Sequence, residues 1–246
     1  MKKIELLTRS TAKMDKALKL NVLNCILHLA PATVAGLGDV CHHASPACRA
    51  ACIHYSGRAA MIKKGENTNT IIEARKRKTK LFFQDNKAFM AALFADIARQ
   101  QNYAAKKCMA LAIRLNGTSD IPWEKIRHDG KSIFDLFPDV QFYDYTKNPD
   151  RLSLGISNYH VTFSRSEINE TIAHEKLLKG HNVAIVFAGK RLPEKYTVID
   201  NEMEFVFDVI NGDEHDLRHL DPRGVVVGLT AKGKGKKDTS GFVVAL

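Results

Sequence analysis

Six short runs of β-branched and aromatic residues, at 22–29, 109–115, 140–145, 159–163, 183–187 and 225–229, alternate along the chain with stretches of helical character. Strands that alternate with helices are joined by crossovers, so neighbouring strands run parallel and both sheet faces are covered. The expected fold is α/β: a partial (β/α)6, TIM-like open barrel with a largely parallel sheet, although a doubly wound sheet satisfies the same strand order. The 246 residues are read as one α/β domain, 1–246, long enough to bury a substantial core. A long helical insertion, residues 46–105, follows the first strand. Phe89, Leu93 and Ile97 recur there at helical spacing, and breaks near 64–67 and 85–86 divide it into three helices. Shorter crossovers follow at 122–127, near Pro149, and at 167–178. Ser164 and Glu167 form a capping-box pattern for the last of these, and Gly180 stops it. Residues 196–210 read as a strand pair, and a flexible basic loop at 232–237 precedes a short final strand at 242–246.

Five cysteines, an odd number in a medium-sized chain, do not make a disulfide framework, so a reducing compartment, the cytoplasm, is expected. Glu5, Arg9, Lys13 and Asp15 interrupt any apolar leader after the opening lysines. No apolar run approaches the length of a membrane helix, so no membrane partner is expected. The formal net charge of +10 draws the chain towards polyanions, nucleic acid or nucleotides among them.

Three of the cysteines, Cys41, Cys48 and Cys52, fall within twelve residues directly after the first strand, where parallel α/β folds place their ligand loops. Ser45 and Pro46 are a helix-start pair, which places Cys48 and Cys52 on one helix face with Cys41 returning over its end. A helix N-terminus favours thiolates, the form that binds metal. Three thiolates with one position vacant suit a 4Fe-4S iron-sulfur cluster. Zinc, completed by His42, His43 or His54, is the competitor, and incidental cysteines are the bland alternative. Cys25, inside an apolar run, reads as a core residue.

Polar residues at the carboxyl ends of strands are the other candidates. Asn116, Ser119, Asp120 and Lys147 are read as catalytic groups, and Tyr145, Thr146, Ser164, Asp216 and Lys232 as cofactor-binding groups. Caps, turns and solvated charges are their ordinary roles: Ser119-Asp120 before Pro122 is a common helix-start sequence. The basic segment around Arg75 and Lys78 and the glycine-interleaved lysines from Lys232 to Lys237 are candidate phosphate contacts.

The Cys loop, the basic helix from Arg75 to Phe82, the Arg114 to Asp120 and Phe142 to Lys147 strand ends, and Asp216 to Asp221 followed by the apolar run from Val225 together resemble a family of phage- and plasmid-encoded numbered gene products. Its members look like relatives of radical S-adenosylmethionine barrels. The resemblance implies an iron-sulfur cluster, S-adenosylmethionine as a cofactor, and the host cytoplasm as location. The spacing here is Cx6CxxxC where those enzymes carry CxxxCxxC, and no Gly-Gly-Glu segment follows the next strand. The alternative is a non-enzymatic factor that binds nucleic acid or a host protein and uses zinc structurally.

Overall fold

The computed structural model describes residues 5–9 and 12–246, with the side chains of 12–14 left aside. Residues 1–4 and 10–11, and the side chain of Lys13, all part of the stretch read against a leader, lie outside that description. In chain order the elements are β1 (Leu7–Thr8), α1 (Ala12–Leu18), β2 (Val22–Leu27), α2 (Pro46–Ala50), α3 (Thr70–Gln84), α4 (Asn86–Lys106), β3 (Ala110–Arg114), α5 (Ile133–Leu136), β4 (Gln141–Thr146), β5 (Tyr159–Ser164), α6 (Glu170–Leu178), β6 (Val183–Phe187), β7 (Lys195–Asp200), β8 (Met203–Asn211), β9 (Val226–Thr230) and β10 (Val243–Val244). The protein is mixed α/β with one ten-stranded, mostly parallel sheet.

Six strands, β2-β3-β4-β5-β6-β9, lie side by side in chain order, each parallel to the next. They coincide with the six runs read from sequence, because a strand buried on both faces must be apolar nearly throughout. All six residues of β2 are buried. β1 adds antiparallel to β2 at one edge. At the other, β8 joins β9 in parallel and turns back as β7, the expected strand pair. The sheet does not close on itself. β5 pairs β6 only at Val183 and Ala184; β10 takes over at Val186 and Phe187, so the chain's last strand is wedged beside the carboxyl end of β6.

The larger core cluster packs Phe89, Met90, Leu93 and Ile97 of α4 against Leu23, Cys25 and Leu27 of β2 and Ile113 of β3. Each such side chain contributes about 1.5–3 kcal/mol when removed from water. Cys25 is fully buried there, and burial pushes its thiol up to about 12. Asp96, on the same helix, accepts hydrogen bonds from the amides of Leu6 and Leu7, which ties β1 to the edge of the sheet.

Three local expectations need correction. The insertion contains only two long helices, α3 and α4: α2 ends after five residues, and short 3-10 turns at Ile53–Tyr55 and Gly57–Ala60 replace its continuation. α6 begins at Glu170 rather than at Glu167, since Ser164 belongs to β5 and Glu167 is drawn to a different helix, as described below. The basic loop is a 3-10 turn, Gly233–Lys237. Among the described residues no helix is long and apolar enough to cross a membrane.

Candidate functional site

The carboxyl ends of the parallel strands open onto a cavity of about 970 Å³, at the upper end of the range of small-ligand sites. Cys41, Cys48, Cys52, Asn116, Ser119, Asp120, Tyr145, Thr146, Lys147, Ser164, Asp216 and Lys232, the twelve residues singled out from sequence, all line it. Parallel strands end on the same side of a sheet, and this brings residues far apart in the chain to one opening.

The Cys loop forms one wall. Ser45 caps α2 as expected, its Oγ accepting from the Cys48 amide at 3.1 Å. The same hydroxyl donates to Glu167 at 2.7 Å, and the other Glu167 oxygen accepts from the Ala47 amide at 3.1 Å. A carboxylate at the loop before α6 thus anchors a loop 120 residues away. Cys48 sits within α2, whereas Cys52 lies beyond its end as the cap of the next turn, where its sulfur accepts from the His54 amide. Cys41 points inward: its sulfur accepts from the Ala32 amide and its thiol donates to the Thr118 carbonyl. The three thiols interact electrostatically, Cys48 and Cys52 each acting on Cys41.

The expectation that the helix end favours thiolates is overturned for two of the three. Burial pushes the Cys41 thiol up to about 12 and raises Cys52 as well, partly offset there by the cations Arg75 and Lys147. A five-residue helix has little dipole to set against desolvation. Among the described residues no three His, Cys, Asp or Glu side chains are grouped to hold a metal ion.

A second part of the framework is built around Arg151, which is 3 % exposed. Its guanidinium donates to Asp120 at 2.7 Å, to both Glu124 oxygens at 3.0 Å and to the Tyr159 hydroxyl at 2.5 Å. Asp120 also accepts from the Thr146 hydroxyl and from the Lys147 amide, so it fixes the end of β4 rather than capping a helix. Asn116 is equally occupied: its carbonyl accepts from Ser119, the Ile121 amide and Trp123, and its amide donates to Ile121 and to Asp144. Asp144 takes three donors, from the Asn116 amide and side chain and from Tyr159, yet burial pushes its carboxyl up to about 7.

The remaining candidates face the opening more freely. Lys147 donates to Ser164 at 2.9 Å and lies over the ring of Phe242, brought there by β10. Lys232 is ion-paired with Asp213 at 2.5 Å. Asp216 accepts from Arg114 at 3.1 Å, and Arg114 stacks over Tyr145, 4.6 Å from the ring centroid. The Tyr145 hydroxyl is buried with no hydrogen-bond partner.

Among the lining residues that escaped the strand-end reading are His28, Arg114 and Gly117. His28 follows an apolar strand directly, and a lone polar residue at such a strand end was its only signal. Desolvation, with Arg75, Arg114 and Lys78 nearby, pushes it down to about 3, so the ring is neutral. Gly117 lets β3 approach it, since a Cβ there would lie 2.5 Å from His28 Nδ1. No curated protein and no solved structure matches the chain. The profile of the Gene product 88 family matches residues 5–246, the whole of the sheet and of this cavity, and the protein belongs to that family.

Proposed function

We propose that the chain is an iron-sulfur protein of radical-S-adenosylmethionine type, in which Cys41, Cys48 and Cys52 hold a 4Fe-4S cluster at the open end of a partial (β/α)6 barrel. One observation carries this reading: three cysteines of a single loop line the cavity at the ends of six parallel strands that succeed one another in chain order. Cys41, Cys48 and Cys52 would each supply one thiolate to the cluster. When bound, the cluster supplies a one-electron donor with one iron open to an exogenous ligand, S-adenosylmethionine in this reading.

The protein's own residues prepare that place. Ser45 and Glu167 fix the loop, and Arg75 and Lys147 bring positive charge to Cys52. Because Cys41 and Cys52 are held protonated by burial, loading must release protons. The net charge of +10 and the lining cations Arg58, Arg75, Lys78 and Lys147 favour an anionic ligand, a nucleotide or nucleic acid. Asn116, Ser119 and Asp120 hold the strand ends in place, and Lys147 is the group positioned to meet that ligand.

A second reading, a non-enzymatic factor whose loop is tied by zinc and which binds nucleic acid or a host protein, draws on His54. Its Nε2 is buried without a partner, and its amide donates to Cys52. Purification without oxygen, with iron and sulfide assayed, separates the two. The first reading expects brown protein that loses iron and colour on Cys48→Ser; colourless protein with stoichiometric zinc refutes it. Reductive cleavage of S-adenosylmethionine by the loaded protein then tests the enzymatic part.

A further inference from the structure

The cavity mouth is formed by two segments that pack together, the turns at 53–60 and the basic turn at 232–237. Ile53, Ser56, Gly57 and Arg58 from the first, and Lys232 and Gly235 from the second, line the opening. Gly233 makes the contact possible: it has φ +53°, and its Cβ position would lie 3.3 Å from both Ser56 Cβ and the Tyr55 carbonyl. Lys234 crosses to the other segment, its Nζ 5.2 Å from the centroid of the Tyr55 ring. Arg58, Lys234, Lys236 and Lys237 are all exposed on this rim. The neighbouring Asp238 is engaged by its own turn, through Ser240 and the Val243 amide.

Inside, the cavity is positive and incompletely satisfied. Arg75 and Lys78, one turn apart on α3, line it half-buried, and their hydrogen bonds go to His54 and to the Leu6 carbonyl, not to carboxylates. Among the described residues neither is ion-paired. Glu5 acts on Lys78 from beyond ion-pair distance, and half-buried cations without an ion pair carry a desolvation cost that an anion would offset. Tyr145 Oη and His28 Nδ1 are buried without hydrogen-bond partners; the Arg114 guanidinium lies over the Tyr145 ring and acts on His28. A ligand that meets all three levels needs phosphates spaced along a chain, a further phosphate to enter between Arg75 and Lys78, and a polar ring or sugar to reach the floor.

We propose that the ligand of this cavity is a single-stranded nucleic acid, held by its backbone along the Arg58 and Lys234–Lys237 rim, with one nucleotide inserted so that its base or ribose meets Tyr145 and His28. This rests on the anionic ligand of the reading above but not on its metal. A duplex cannot deliver one nucleotide into the opening without unpairing it, so single strands are preferred. The rim supplies affinity without sequence information, and the floor supplies selection.

Anisotropy of a labelled single-stranded oligonucleotide, titrated at several salt concentrations with the wild-type protein as purified, tests this, with a duplex of the same sequence and the mononucleotide alongside. The Lys234→Ala, Lys236→Ala, Lys237→Ala triple variant should lower the log-log salt slope by about 2, since each single-strand phosphate contact contributes about 0.7. Tyr145→Phe removes only an unpartnered hydroxyl; it should weaken binding roughly fivefold and leave the slope unchanged. An unchanged slope in the triple variant, equal affinity for the duplex, or unchanged affinity in Tyr145→Phe overturns the proposal. Iron content measured on the same sample keeps the two readings apart: binding without iron sinks only the cluster, and iron without binding sinks only this inference.

Discussion

Replacing Arg151 with Met tests whether the strand ends beside the cavity are held by one buried charge. The side chain is 3 % exposed and bonds two carboxylates that are themselves nearly buried, Asp120 and Glu124. Met restores most of the volume but leaves both acids without their cation. Breaking a buried pair in this way typically costs about 3–5 kcal/mol, because the abandoned charge keeps its desolvation penalty. Against a total stability of about 5–15 kcal/mol this is a large share, and for a chain of this size it lowers the melting temperature by roughly 10 °C. The readout is the urea-unfolding free energy of both proteins at neutral pH. A gap under about 1 kcal/mol refutes the assignment of Arg151 as the tie between β3, β4 and β5.

Two further outcomes follow from the same wall and its neighbour. Asp144 has a folded-state pKa of about 7 against an ordinary 3.8, so the folded protein keeps a proton that the unfolded chain has lost between those values. Its contribution is most favourable at low pH and declines by roughly 1.4 kcal/mol per pH unit through that window. Wild type should lose stability relative to Asp144→Asn as pH rises from 5 to 7, and a flat difference in chemical denaturation would contradict it. Gly117→Ala places a methyl 2.5 Å from His28 Nδ1 and 2.7 Å from the Leu27 carbonyl. The carbonyl belongs to β2 and cannot move aside, so overpacking should cost about 1–3 kcal/mol, visible as a lowered melting temperature; an unchanged one would show that the strand ends are looser than described.

The six parallel strands were legible because burial on both faces leaves an apolar run such as Val22–Leu27, a pattern that needs no knowledge of partners. Strand-end polarity was legible for the same reason: chain order plus parallel pairing places Asn116, Lys147, Ser164 and Lys232 at one opening whatever their separation. What escaped depended on contacts that only the folded chain defines. Glu167 sits three residues after Ser164 in a capping-box pattern, but its oxygens reach Ser45 and Ala47, and α6 starts instead at Glu170, with Asn169 at its N-cap position. Cys48 and Cys52 have helical spacing, but the helix stops between them. The helix-end argument for thiolates failed because it counted the dipole and could not count burial, which for Cys41 is the largest influence.

The occupied and unoccupied polar groups of the cavity divide it into framework and working surface. Asn116 and Asp120, both read as catalytic, spend their hydrogen-bonding capacity on Ser119, Ile121, Trp123, Thr146 and Arg151. Groups so engaged would have to break a network to touch a ligand, and in a dry interior each lost bond costs about 1–3 kcal/mol. Arg75, Lys78 and the Tyr145 hydroxyl have the opposite character: among the described residues the two cations form no ion pair, and the hydroxyl has no hydrogen-bond partner. Arg75 stands beside Cys52, and Arg114 lies over the Tyr145 ring. The polar groups that the protein leaves least engaged therefore lie between the Cys loop, α3 and the end of β4, and the Arg151 network holds the end of β4 in place.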